Sequence, residues 1–316
     1  MTYLQIFMIK KHFVYSEIYT SSQEFEPIEG STYIYAFTKE DRSKLADELI
    51  PRHRRHCKFV AVEYLSPDVI RVENDTYEYP LRGTKSIGSF VERYVGEIVY
   101  LDISGLNARI SSALIITLFK KGVTTYVIYA EPATYRLDKF KNEGVLVDLA
   151  EKVEGISPLP GLIRFIDIDK KIFVPLLGFE GARFTQIYED VSPSDDDIYP
   201  VVGLPGFRME YPFVTLFSNK PPLLNTQSWA NIQYVMANSV VDVYLKLLEI
   251  YNHNNDSKII VAPIGTKPHA IGAILFAMKY DERVELVYDN PKRNEQRTDG
   301  IGRIIVCNAT KLVNEN

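Results

Sequence analysis

The chain has 316 residues, 46% of them hydrophobic, and reads as a globular protein with one large domain or two ordinary ones around buried cores. A formal net charge of −5 excludes a protein that meets nucleic acid with its whole surface, although a local basic site stays open. The two cysteines, Cys57 and Cys307, have no nearby partner for a metal knuckle or a disulfide framework, which fits a reducing compartment.

The opening MTYLQIFMIKKHF lacks the charged, apolar, small order of a signal peptide, and no apolar run reaches the roughly 20 residues of a membrane span. A soluble, cytoplasmic protein without a membrane partner is expected. Residues 1–95 carry Tyr-rich short strands, turns at Glu29-Gly30 and Asn74-Asp75, and a charged helix around Lys39 to Ile50. They read as a separate, mixed, β-rich module. The run PRHRRHCK, with His53 and His56, is the densest basic stretch, and Lys292, Arg293 and Arg297 form another; both read as solvated surface, without the interleaved aromatics of a single-strand groove. No set of acidic or Cys ligands at metal spacing accompanies the histidines.

From Glu97 the pattern changes to β-branched runs that end in Gly, Pro and charge and pass into helices, the punctuation of an α/β fold. EIVYLDIS precedes the helical stretch 107–122, with Ile110, Leu114, Ile115 and Leu118 on one face, and TTYVIYAEP supplies the next strand. FVPLLGFEGARF, YPVVGLPGF, KIIVAPIGTKP and ERVELVYDNP repeat the ending. Asn231 to Asn254 reads as the longest helix, and Trp229 as a core residue. The fold class expected is α/β, a doubly wound, mostly parallel sheet over residues 96–316 with the amino-terminal β-rich module before it. Ligands of such sheets bind at the carboxyl edge, so Asp102, Glu131 and Lys267 are expected to share one edge.

The segment 258–293 is the best site candidate. Gly265 allows a tight turn, and the helix opening near Pro268 directs free N–H groups and its positive end toward that turn. Phosphate contact is read for the amides of Thr266 and Lys267, for the Lys267 ammonium and for His269 in the first turn; a tight crossover with a surface lysine is the plainer alternative. In DISGLNAR, Asp102 can accept from a ribose hydroxyl and Arg109 stands in the first helical turn, while Ser104 or Asn107 serves equally as a helix cap. Tyr135 can stack on a base. Glu131 and Glu180, with Arg183 nearby, suit a general acid/base pair or a divalent cation, or else an internal ion pair with Arg183 or Arg109.

Residues 258–289, with the GTK turn at Gly265, Thr266 and Lys267, resemble the last β-α-β unit of CARF-type Rossmann domains, the prokaryotic sensors of cyclic oligoadenylates. DISGLNARI resembles the first ligand-binding loop of that fold. The resemblance implies a Rossmann-like fold, nucleotide phosphates at the GTK turn with Ser104 contributing from the opposite loop, and a sensor in a defence-type system. Ile264 stands where a second glycine is common, and no winged helix, ribonuclease or nuclease motif accompanies the domain, so an effector is expected on a partner protein if there is one. A homodimer is compatible, and the identity of any cofactor stays open. An enzyme acting on a nucleotide or sugar phosphate, with Glu131 or Glu180 as acid/base, and a non-enzymatic assembly subunit remain the alternatives.

Overall fold

The structure is a computed structural model that describes residues 14–137, 150–153, 155–293 and 296–316. The opening segment weighed as a leader, with His12, lies outside the described residues, as do the side chains of Lys292 and Arg293 from the second basic run. Two compact units divide the chain, one of Met1–Thr134 with Thr298–Asn316, the other of Tyr135–Arg297.

The first unit is built from β1 (Ser16–Tyr19), β2 (Thr32–Tyr35), α1 (Leu45–His53), β3 (Lys58–Ser66), β4 (Val69–Val72), β5 (Glu78–Pro80), α2 (Thr84–Tyr94), β6 (Ile98–Asp102), α3 (Ala108–Lys120) and β7 (Thr124–Tyr135). The second follows with β8 (Ala150–Val153), β9 (Lys171–Leu176), α4 (Gly181–Val191), β10 (Val201–Gly203), α5 (Tyr211–Ser218), α6 (Lys220–Asn225) and β11 (Gln233–Val235). It continues with α7 (Val240–His253), β12 (Lys258–Pro263), α8 (Lys267–Lys279), β13 (Val284–Leu286) and β14 (Pro291–Arg293). The chain then returns to the first unit as β15 (Thr298–Asn308) and α9 (Ala309–Glu315).

The first unit holds an eight-stranded sheet in the order β1-β15-β7-β6-β2-β3-β4-β5. Its centre is parallel, with β2 between β3 and β6 and with β7 beyond β6, and antiparallel pairs lie toward both ends. The boundary expected near Gly96 therefore does not divide the fold, because Tyr33 of β2 is in register with Tyr100 of β6. Tyrosines concealed this. Tyr33 is fully buried, and its hydroxyl donates to Asp102 Oδ2 at 2.9 Å, so a residue that reads as half-polar occupies a strand covered on both faces. A core of Phe25, Tyr33, Leu45, Leu49, Ile128 and Ile304 joins the amino-terminal strands to β7 and β15.

The second unit holds a five-stranded, wholly parallel sheet in the order β11-β10-β9-β12-β13. Both sheets with their helices are Rossmann-like α/β architecture, and in the second the strand order reverses between β9 and β12. Near-continuous burial of β9 and β12 is what a parallel sheet covered by helices requires. The helix expected from Asn231 begins only at Val240. Residues 233–235 form β11, and Ser239 starts α7 by accepting from Asp242 N at 2.9 Å. Trp229 is 57% exposed rather than buried.

Helices α7 and α8 pack unusually closely. A Cβ on Gly272 of α8 would lie 2.1 Å from Val243 Cγ1 and 2.7 Å from the Val240 carbonyl, so only glycine fits the crossing. Gly272→Ala is expected to lower the stability of this unit by about 1–3 kcal/mol through overpacking, read as a lower denaturant midpoint for its unfolding transition. An unchanged midpoint would show that the two helices separate at no cost.

Candidate functional site

The carboxyl edge of the second sheet brings the loop after β9 against the loop after β12, at the point where the strand order reverses and where open α/β sheets take ligands. The two loops touch backbone to backbone. A Cβ on Gly265 would stand 2.5 Å from the Leu177 carbonyl oxygen, and one on Gly178 would stand 2.8 Å from that of Ile264. Gly265 is required by this approach, since its φ is not in the left-handed region.

Thr266 caps α8. Its Oγ1 accepts from His269 N at 3.3 Å and donates to the Ala237 carbonyl at 2.7 Å, tying the turn to the loop after β11. His269 follows the same course. The sequence suggested His269 as a first-turn donor to a ligand, but its ring is fully buried, with Nε2 3.0 Å from the Met236 carbonyl, so the imidazole braces the turn from within. Burial pushes its pKa down to about 4, against a smaller upward pull from that carbonyl. Lys267 is partly buried at the first position of α8, followed by Pro268, whose missing N–H leaves no orphan donor there.

Arg183 is buried in the first turn of α4 and holds three loops. Nε and Nη2 donate to the two oxygens of Asp289 at 2.6 Å each, and Nη1 donates to the Ile264 carbonyl at 2.7 Å and to Glu180 Oε2 at 3.2 Å. Burial alone would lower the guanidinium pKa, and Asp289 and Glu180 reverse that and raise it. Arg183 and Glu180 thus form an internal ion pair beneath the edge, the plainer of the readings weighed for them. Asp289, fully buried after β13, is the partner that the sequence did not single out. Its only signal is an acid closing an apolar strand.

Tyr135 lies in an aromatic group with Phe179, Phe207 and Tyr211. Its ring is edge-on to Phe179 at 5.5 Å and nearly parallel to Phe207 at 6.3 Å, and its N–H donates to the Tyr211 hydroxyl at 2.8 Å. Phe179 follows Gly178 directly, so this aromatic group adjoins the glycine contact. Sequence alone gave Phe179 no distinction, because an aromatic beside a glycine is common in core loops.

The remaining candidates belong to the first unit, so the single edge expected for Asp102, Glu131 and Lys267 is not formed: β6 and β7 lie in one sheet and β12 in the other. Asp102 is buried, accepting from Tyr33 through Oδ2 and from Ser104 N through Oδ1 at 2.8 Å. Ser104 Oγ accepts from Ala130 N at 2.8 Å. Arg109 Nε donates to the Pro67 carbonyl at 3.0 Å, and its Nη2 meets Asp68. Burial raises the Asp68 pKa, but Arg109 and Arg82 outweigh it and hold the group below its ordinary value. Glu131 is buried and paired through both oxygens with Arg303, at 2.9 and 3.2 Å. In the basic run that begins in the last turn of α1, the His53 and His56 rings stand 6.1 Å apart, and no group of three or more potential metal ligands occurs among the described residues.

Arg183→Ala is expected to leave the buried Asp289 carboxylate without its bidentate guanidinium and to destabilise the second unit by about 3–5 kcal/mol in chemical denaturation. For His269, the folded value of about 4 lies below the unfolded 6.5, so the unfolded chain binds a proton that the folded chain refuses. Stability therefore falls as pH drops from 6.5 toward 4, by up to about 3 kcal/mol, and His269→Gln is expected to flatten that part of the stability profile. An identical profile in the variant would show that the imidazole is accessible to protons in the native state.

No family model matches the chain, and no curated protein matches it. Among solved structures, the chain is similar to a GDP-L-fucose synthetase from Naegleria fowleri at 9% identity, over 94% of this chain and 91% of that one, with a TM-score of 0.23. A superposition that poor carries no argument about site or activity.

Proposed function

We propose that the chain binds a nucleotide or other phosphorylated small molecule at the carboxyl edge of the second sheet. The observation that carries this reading is the turn into α8, where Gly265 brings the start of a capped helix against the loop after β9 at the reversal of strand order. Phosphate oxygens take the Thr266 and Lys267 amides, the positive end of α8 and the Lys267 ammonium. The aromatic group around Phe179 and Tyr135 offers apolar faces to a base.

A sensor of the CARF type is preferred to an enzyme. Both glutamates considered for acid/base work are buried beside guanidinium groups, Glu180 with one oxygen on Arg183 and Glu131 with both on Arg303. In the sensor reading the ligand leaves unchanged and its binding energy reorganises a partner or another part of the chain; a defence role is an extension of the CARF resemblance.

Small molecules released by denaturing the purified protein are to be identified by mass spectrometry, and their affinity measured by calorimetry. Lys267→Ala is expected to weaken the affinity by about 10- to 100-fold, the scale of one charge-assisted contact, with unchanged thermal stability. Wild-type protein that binds no member of a nucleotide panel would overturn the reading. Turnover of a bound nucleotide would replace the sensor with an enzyme.

A further inference from the structure

Helices α2 and α3 of the first unit pack side by side and leave a groove of about 490 Å³ between them, bordered by Lys85, Gly88 and Glu92 of α2 and by Thr117, Lys120 and Lys121 at the end of α3. These residues are spaced by three and four, so each helix turns one stripe to the groove. Packed helices ordinarily fill such a seam with interdigitating side chains. Here the middle of the α2 stripe is Gly88, where an added Cβ would meet only Lys121 Cε at 3.7 Å, and the seam stays open.

The cations around it are only partly explained by the helices themselves. Lys120 and Lys121 suit the negative end of α3. Lys85 has no such reason: it stands in the first turn of α2, which holds no acidic residue, so a positive charge is added to the positive end of a helix. Lys121 Nζ lies 2.6 Å from Glu92 Oε1, whereas Lys85 and Lys120 pair with no carboxylate among the described residues. Three ammonium groups therefore border the groove with one carboxylate.

We propose that this groove binds a small polyanion, a short chain of phosphates. Charge and length select that class. Two ammonium charges are left unbalanced, so the ligand carries at least two negative charges close together, and lysines meet phosphate as point charges. Between Lys85 and Glu92 the helix rises about 10 Å, the reach of only three extended residues, which is short for an acidic peptide and ample for a phosphate chain. The volume falls in the range of small-molecule sites.

The full chain is to be titrated with inorganic triphosphate while the acetylation rate of each lysine is followed by mass spectrometry. Lys85, Lys120 and Lys121 are expected to be protected, less so as ionic strength rises. In calorimetry with Lys267→Ala as the parent chain, so that the turn into α8 adds little heat, Lys85→Gln with Lys120→Gln is expected to weaken triphosphate by about tenfold or more. Gly88→Leu fills the groove and removes no charge, and leucine is the better helix former, so it is expected to weaken binding as much with unchanged circular dichroism. Three lysines that react at the same rate with and without millimolar triphosphate overturn the proposal, as does protection that potassium chloride of equal ionic strength reproduces, or binding that survives Gly88→Leu. The lysine footprint is read on the unaltered protein, so it decides the matter whatever the variants do to folding. Lys267 is not among the three lysines read, so the result stands apart from the ligand reading at the turn into α8.

Discussion

The Arg183 guanidinium is the constraint on which the second unit's edge depends. Three of its nitrogens reach the loops after β9, β12 and β13 at once, through Glu180, the Ile264 carbonyl and Asp289. A buried cation is costly to desolvate, and it persists here because a bidentate carboxylate and a carbonyl surround it. The Ile264 carbonyl it holds immediately precedes Gly265. Whatever geometry the turn into α8 offers to a ligand is thus set from below by an ion pair.

From the opposite side, Thr266 and His269 fasten the same turn to the loop after β11. The turn is therefore fixed by backbone contact at Gly265 and by polar contacts on both flanks. Such rigidity suits a preorganised anion site, because little conformational freedom is left to lose on binding. The first unit uses a related device: a Cβ on Gly105, after β6, would fall 1.7 Å from the Ala36 carbonyl after β2, and Asn107 caps α3 by accepting from Ile110 N at 2.9 Å. In each sheet, then, a glycine lets the loop that follows one central strand pass close to the loop that follows its neighbour.

The candidate site was only partly legible in the chain. The tight turn at Gly265 and the helix opening near Pro268 were legible because a glycine, a hydroxyl and a proline in that order have few uses other than a strand-to-helix turn. The roles of His269, Arg183 and Glu180 were not. Their side-chain chemistry is the same whether they face a ligand or a buried partner, and only the three-dimensional neighbours, a carbonyl of Met236 and a carboxylate more than a hundred residues away in sequence, decide between the two. Phe179 and Asp289 carried no local signal at all.

By itself the sequence determined the local elements: the apolar runs that became β6, β7, β9 and β12, the glycine and proline of the turn into α8, and a charge and composition suited to globular α/β units. Those are properties of neighbouring residues, set by backbone sterics, side-chain period and capping chemistry. Tertiary structure decided which strands share a sheet. Strand partners are chosen by long-range packing, so β2 could join β6, and β15 could return from the far end of the chain, without any mark at the intervening boundary. For the same reason the acids and the lysine that looked alike at their strand ends were assigned to two sheets instead of one edge.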